Sequence, residues 1–141
     1  MKKEAIKSLA LCVLELQAHE FIHWVIDVIF CPKYRRKVLV DGVDERLKEI
    51  ILQIAKEKNV EIKALEIMPD HVHVFIDFDP RLTLHKIVKD FKGISARILR
   101  EEFPYLKSRL PSLWTRSYFA CSIGHISEET IKKYIENQKN V

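Results

Sequence analysis

Two histidines separated by one residue are the first candidates for chemistry in this sequence. They lie in His71-Val72-His73, at the start of an alternating, β-branched stretch that ends at Phe78 and predicts a strand. Because side chains alternate across a strand, both imidazoles share one face, about 7 Å apart. Such a pair can bind a divalent metal. The alternative is two ordinary polar residues on a solvated strand. If helices cover the valine face, the histidine face is open to substrate.

A second pair of candidates lies near the C-terminus at helical spacing. Ser127 is a good N-cap for a last helix that follows Gly124. Tyr134 and Gln138 are four residues apart and therefore share one face of that helix. Tyr134 offers a phenol, and Gln138 offers an amide oxygen that a hard cation accepts. The alternative is a tyrosine half-buried in a packing interface and a solvated glutamine near the end of the chain.

Charge is distributed unevenly along the chain. The net charge is +4, but residues 33–37 (Lys-Tyr-Arg-Arg-Lys) and residues 81–116 are basic, whereas residues 38–80 are acidic. Such segregation can present one basic face, whose common partner is a phosphate backbone, although many charges simply solvate helices. Tyr34 lies inside the basic run, which favours base stacking flanked by phosphate contacts. The predicted nucleic-acid-binding residues are Lys33, Tyr34, Arg35 and Arg36.

Length and composition predict one globular domain. The chain has 141 residues, of which 48% are hydrophobic and 31% charged, with 3 Gly, and this excludes collagen-like and wholly disordered classes. Its 3 cysteines contain no C-x-x-C pair, which favours a reducing compartment. The apolar run over residues 24–31 is too short to span a membrane. We therefore expect a cytoplasmic protein with a lead-in over residues 1–20 and a single domain over residues 21–141.

Periodicity predicts the elements that must position these candidates. The expected strands cover residues 24–31, 60–67, 71–78 and 113–121, and the expected helices cover residues 43–58 and a long segment that begins at Thr83. A loop is expected between Pro104 and Pro111. The order β-α-β-β-α-β predicts an α+β, ferredoxin-like split βαβ fold. It has a four-stranded antiparallel sheet with helices on one face, followed by the C-terminal helix that bears Tyr134.

Several other conspicuous residues receive structural interpretations. Asp70, in the turn Met68-Pro69-Asp70, is expected mainly to hydrogen-bond the turn, and the alternative is a contact that orients a histidine. Four aromatic residues are expected in the core rather than in base stacking: Trp24, Phe91, Trp114 and Phe119.

Three segments together resemble one family. They are Lys33-Tyr34-Arg35-Arg36, Met68-Pro69-Asp70-His71-Val72-His73 and Tyr134-Ile135-Glu136-Asn137-Gln138. In this order, from about residue 21 to the end, the sequence resembles the single-tyrosine HUH transposases of the smallest bacterial and archaeal insertion sequences. HUH denotes His, a hydrophobic residue and His.

The resemblance implies an enzyme that cuts and rejoins single-stranded DNA beside hairpins at the ends of an element. By matching residues, Tyr134 would be the nucleophile that forms a 5′-phosphotyrosine link. Mg²⁺ or Mn²⁺ would be bound by His71, His73 and Gln138. No nucleotide cofactor is implied, because the freed 3′-hydroxyl later reseals the strands. The family forms homodimers in which the tyrosine helix of one subunit completes the partner's site, and Gly124 is a plausible hinge for that exchange.

Two further functions stay open at this point. One is a domesticated HUH nuclease that processes chromosomal hairpin repeats with the same chemistry. The other is a ferredoxin-like module that binds RNA or DNA without cutting it. Flanking hairpins repeated at the ends of an element would distinguish the transposase from the first. A metal-dependent covalent DNA adduct would exclude the second.

Overall fold

The computed structural model describes residues 24–79 and 81–122. Within them the elements, in chain order, are β1 (Trp24–Phe30), α1 (Val43–Glu57), β2 (Glu61–Met68), β3 (His71–Phe78), α2 (Leu84–Glu102), α3 (Tyr105–Arg109) and β4 (Phe119–Ser122). A 3₁₀ turn, Lys33–Arg35, follows β1. The lead-in over residues 1–20 and the predicted C-terminal helix with Tyr134 and Gln138 lie outside the described residues.

The four strands form one antiparallel sheet in the order β2-β3-β1-β4. Strand β1 pairs with β3 on one side and with β4 on the other, and β2 pairs with β3. The two edges of the sheet are therefore β2 and the short strand β4. This order, with a helix between β1 and β2 and another between β3 and β4, is the predicted ferredoxin-like split βαβ arrangement.

One face of the sheet packs against the two long helices. Val72, Val74 and Ile76 point to this face from β3 and are fully buried. They join one apolar cluster with the inner stripe of α1 and with Val88 and Phe91 of α2. The apolar residues of each helix recur at helical spacing, so they fall on one side of it, as predicted. Alternate residues of β3 therefore pack into this core, and the two histidines lie on the other face of the sheet.

The segment between α2 and β4 differs from the prediction. Strand β4 covers only Phe119–Ser122 rather than residues 113–121, and the expected loop contains the short helix α3. Leu113 and Trp114 are adjacent in sequence yet both are buried. A strand with one solvated face does not allow this, because neighbouring side chains point to opposite faces. The segment is held instead by local bonds, among them the Lys33 amide donating to the Leu113 carbonyl at 2.8 Å.

The predicted core aromatics are confirmed in part. Phe91 and Trp114 are buried, whereas Phe119 is 44% exposed, so its placement in the core is wrong. Its strand, β4, is a four-residue edge strand and offers fewer neighbours than a central strand. The side chain of Trp24 lies outside the described part of the structure. No helix among the described residues is long and apolar enough to cross a membrane.

Candidate active site

The two candidate histidines lie on the face of β3 opposite the long helices, as the alternation predicts. The exposed fraction is 7% for His71 and 2% for His73, so the expectation that this face is open to substrate is wrong. Val25 of β1 and Phe75 of β3 share the face and are also buried. The imidazoles therefore lie in a desolvated environment, and the residue paired with His73 on β2 is the ionisable Glu66. Interactions of a charge placed there are stronger than they would be in water.

A buried carboxylate lies beside His73. Asp27 of β1 has no solvent exposure, and its Oδ1 is in ion-pair contact with Nε2 of His73. Neither oxygen of Asp27 accepts a well-aligned hydrogen bond from the described residues. Burial raises the pKa of Asp27, and the close contact with His73 and its charge oppose that rise. A buried oxygen donor without full hydrogen bonding is therefore available next to a metal-capable nitrogen.

Asp27 was not selected as a site residue in the sequence analysis. The available signal was the residue itself, since it is the one charged residue within the apolar run over residues 24–31. An ionisable group buried in such a strand needs a partner, because an isolated buried charge is very costly. The identity of the partner could not be read from the sequence, since it depends on the register between β1 and β3.

Asp70 holds the other histidine. Its Oδ1 lies 2.8 Å from Nδ1 of His71, and its Oδ2 lies 3.3 Å from Nη2 of Arg35. Partial burial alone would raise the pKa of Asp70, but the hydrogen bond with His71 and the nearby charges outweigh this effect and lower it. An ionised carboxylate only accepts, so Nδ1 of His71 is the donor, and in the neutral imidazole Nε2 then carries the lone pair. Asp70 therefore contacts a histidine, as the alternative predicts, and it also accepts a hydrogen bond from the backbone of its own turn.

The basic segment, residues 33–37, lies on strained backbone just past β1. Tyr34 and Arg35 have φ angles of 60° and 51°, in the left-handed region that non-glycine residues rarely adopt. Tyr34 is 65% exposed, and the Lys33 ammonium lies 5.6 Å from the centre of its ring. Arg35 and Arg36 are exposed as well. Strain of this kind persists where the surroundings impose it, and it clusters at functional sites.

The structure joins this basic segment to the turn that precedes His71. Besides the Arg35–Asp70 ion pair, the Leu39 amide donates to the Pro69 carbonyl at 3.1 Å. Two sets of residues that are far apart in sequence, the predicted DNA-binding set and the predicted metal ligands, therefore meet at Asp70. Tyr134 and Gln138, the other two predicted site residues, lie outside the described residues.

The histidine face offers some of the donor atoms that a divalent cation needs, but not a complete set. Imidazole nitrogens bind Mn²⁺ and similar metals, and the carboxylate of Asp27, in contact with His73, is a hard oxygen donor. Within residues 24–79 and 81–122, no group of three or more His, Cys, Asp or Glu has the geometry of a complete metal site. The two histidines can therefore supply part of a coordination shell, and further ligands must come from elsewhere.

Comparison with known proteins identifies relatives of the whole domain. The sequence matches the family described as "Transposase IS200 like" over residues 21–138. The ISDra2 transposase TnpA of Deinococcus radiodurans is 39% identical over 113 residues, which are 79% of this chain and 81% of that protein. The transposase for insertion sequence element IS200 of Salmonella typhimurium is 28% identical over 113 residues, or 79% of this chain and 74% of that protein.

Solved structures show the same fold. A Deinococcus radiodurans protein described as a candidate transposase superposes with a TM-score of 0.68 and 37% identity, covering 84% of this chain and 93% of that one. A REP-associated tyrosine transposase bound to a REP hairpin gives a TM-score of 0.56 at 13% identity, with 82% and 65% coverage. The second likeness concerns the fold alone.

The fold and the relatives together define a DNA-processing α+β enzyme of the transposase class. The chain belongs to the IS200-like transposases, the single-tyrosine HUH family that its motifs resemble.

Proposed function

We propose that this transposase cleaves and rejoins single-stranded DNA at hairpin-flanked ends of an insertion sequence through a 5′-phosphotyrosine intermediate on Tyr134. The observation that carries the proposal is the chain of contacts from Arg35 through Asp70 to His71. It links a side chain suited to DNA phosphate with an imidazole whose Nε2 can bind a cation.

The covalent chemistry is assigned to the C-terminal helix. The phenol oxygen of Tyr134 bonds to phosphorus, the bond from phosphorus to the 3′-oxygen breaks, and a 3′-hydroxyl is freed. That hydroxyl later attacks a phosphotyrosine and restores the phosphodiester, so the bond energy is conserved and no ATP is required. A phenol with a pKa near 10 is a weak nucleophile at neutral pH, and the attacked phosphodiester is anionic. The reaction therefore needs positive charge at the phosphate oxygens.

His71, His73 and Gln138 are proposed to hold the divalent cation that provides this charge. Bound Mg²⁺ or Mn²⁺ would neutralise charge on the phosphate oxygens and orient the phosphate. Two imidazole ligands are softer than Mg²⁺ usually prefers, which favours Mn²⁺ in vitro. Asp70 positions His71 by accepting from Nδ1, and the desolvated surroundings strengthen the field at the site.

The proposed partner is a DNA hairpin with its single-stranded flank, bound in the cytoplasm by a homodimer. A protein of this fold has been solved with a REP hairpin bound, so the fold can hold such a ligand. In the proposed dimer the tyrosine helix of one subunit completes the site of the other. Lys33, Arg35 and Arg36 would contact the DNA backbone, and the exposed Tyr34 would stack on a base.

The decisive experiment is covalent capture. The purified protein is incubated with single-stranded hairpin DNA labelled at both ends, with Mn²⁺ or with excess chelator, and analysed under denaturing conditions. We expect a protein–DNA adduct that carries only the label on the 3′ side of the cut, together with a free 3′-hydroxyl fragment, and only when Mn²⁺ is present. Binding without any adduct across a panel of hairpins would favour the non-catalytic alternative.

Neutralising two arginines tests the DNA contact of the basic segment. Arg35→Gln with Arg36→Gln should weaken hairpin binding and flatten its salt dependence, by a log–log slope of about 0.7 for each lost single-strand phosphate contact. The measurement is fluorescence anisotropy over a salt series in chelator, so that cleavage does not interfere. If the affinity and the salt slope both stay unchanged, these two arginines are surface residues that do not contact the DNA.

Replacing one carboxylate tests the role of Asp70 as a positioning residue. Asp70→Asn should weaken Mn²⁺ binding by about 10- to 100-fold, because such contacts fix the orientation and basicity of a metal-binding histidine. The readout is the electron paramagnetic resonance signal of free Mn²⁺ in a titration. Asp41→Asn, the same change at an exposed turn residue, is the matched control and should leave the affinity unchanged. Equal affinities in both variants would contradict the positioning role.

A further inference from the structure

A cavity of about 570 Å³ lies on the helix-covered side of the sheet, away from the histidine face. It opens between α2 and the segment over residues 111–118, and Lys33 also lines it. Its size falls within the range of about 300–1,000 Å³ that is usual for ligand pockets. Apart from Lys33, none of its lining residues belongs to the candidate active site. The cavity therefore has no assigned role.

The lining of the cavity is positively charged. No carboxylate of the described residues lines it, and its cations are Lys33, Lys89, Lys92 and Arg116. The ammonium of Lys92 donates to the Ser117 carbonyl at 3.2 Å, and burial lowers the pKa of this lysine. Several cations without lining counter-charges favour an anionic ligand, since a bound anion would relieve their mutual repulsion.

The floor of the cavity is apolar and aromatic. Leu113, Trp114 and Val88 are buried residues that line it, and the half-buried ring of Tyr118 adds a flat surface. A flat apolar wall beside a cationic rim suits a ligand that combines a planar ring with a phosphate. Nucleotides have this combination, and every base offers a face that stacks on an aromatic side chain.

Gly93 leaves open space along one wall of the cavity. It lies in the interior of α2, where glycine is less favourable than alanine, and it lines the cavity. A Cβ built at this position meets no heavy atom of the described residues within 4 Å. Packing within the described part of the protein therefore does not require a glycine here. The missing side chain leaves the helix backbone open to close approach from the cavity.

We propose that this cavity binds one nucleotide of a single-stranded DNA segment, with the base against Tyr118 and the apolar floor and the flanking phosphates on the cationic rim. The choice of DNA rests on the proposed function. Continuity supports it, because Lys33 both lines the cavity and begins the basic segment whose Arg35 reaches Asp70. One basic surface thus runs from the cavity towards His71, and the DNA strand would follow it.

The first test places a larger side chain in the cavity without removing any charge. Gly93→Leu should weaken binding of a short oligodeoxythymidylate about tenfold or more, the effect of losing one stacked base. Gly93→Ala, which adds only a methyl group in the same open space, should weaken binding less than Gly93→Leu does and should raise the melting temperature, because alanine favours the helix. Binding is measured by anisotropy in chelator. Wild-type affinity in a folded Gly93→Leu protein would overturn the proposal.

The second test removes one charge from the rim and maps the contact. Lys89→Gln should lower the salt slope by about 0.7, whereas Lys86→Gln, an equal change on an exposed part of the same helix outside the cavity, should leave it unchanged. Photo-crosslinking with 5-iodouracil in the oligonucleotide should label Tyr118 or Trp114. Equal slopes in the two lysine variants, or labels confined to other peptides, would contradict the proposal.

These measurements use no metal and no cleavage, so they are separate from the proposed function. If the hairpin adduct never forms but the cavity variants lose binding, the catalytic proposal fails and the cavity proposal stands. If the adduct forms normally and the cavity variants bind like the wild type, the cavity proposal fails alone.

Discussion

Tyr134→Phe is expected to abolish the covalent adduct with hairpin DNA while hairpin binding, the dimer and thermal stability remain close to those of the wild type. The change removes only the hydroxyl that would bond to phosphorus and keeps the aromatic ring, so we expect little change in stability. Adduct formation is measured on denaturing gels, and binding is measured in chelator. Loss of the adduct with intact binding separates the chemical step from DNA recognition.

The other three tyrosines are described by the structure and serve as comparisons. Tyr34 belongs to the exposed basic segment, Tyr105 begins α3, and Tyr118 lines the cavity on the helix side of the sheet. Tyr105→Phe is the matched control, because it removes one phenol hydroxyl from a partly exposed residue and should form the adduct normally. An adduct that persists in Tyr134→Phe would assign the nucleophile to another residue.

Mixing two inactive variants tests whether the site is shared between subunits. If the tyrosine helix acts in trans, heterodimers of Tyr134→Phe and His71→Ala contain one site with both groups intact. Cleavage should then reappear in the mixture although each variant alone is inactive. Verified heterodimers without activity would show that each site is built within one chain.

His71→Ala is expected to reduce Mn²⁺-dependent cleavage about a hundredfold or more, because charge stabilisation by a bound cation is worth several kcal/mol in such reactions. Hairpin binding in chelator should be retained, since His71 is buried and the proposed DNA contacts lie elsewhere. Mn²⁺ affinity should fall in parallel with activity. His71→Gln, which is closer to His71 in volume and retains a polar side chain, checks that the loss does not arise from disturbed packing.

Cleavage by His71→Ala at the wild-type rate would refute the metal role. Cleavage by the unaltered protein in excess chelator would refute it as well. A variant that binds Mn²⁺ normally and yet fails to cleave would instead assign His71 to contact with DNA. The metal titration and the cleavage assay together therefore decide between these two roles.

The fold could be predicted because local pattern and tertiary structure agree in most elements. The strict alternation in residues 71–78 determines which side chains of β3 enter the core, and helical spacing does the same for α1 and α2. The prediction failed at Leu113 and Trp114, where both neighbours are buried by contacts with other parts of the chain. The spacing of apolar residues within this segment does not predict such contacts.

Candidate site residues could be selected from the sequence, but their surroundings could not be predicted. His71, His73 and the basic segment could be selected from type and spacing. The burial of the imidazoles and the contact between Asp27 and His73 depend on which strands become neighbours. The Arg35–Asp70 ion pair joins residues 35 positions apart, and only the folded chain brings them together.

The bonds that join residues 33–39 to residues 69–71 also limit how this enzyme can be re-engineered. Arg35 pairs with Asp70, and the Leu39 amide is bonded to the Pro69 carbonyl, so the two segments share one geometry. A chimera that takes its basic segment from a relative should therefore take the Pro-Asp-His turn from the same relative. The two segments should be exchanged together, although about thirty residues separate them in the chain.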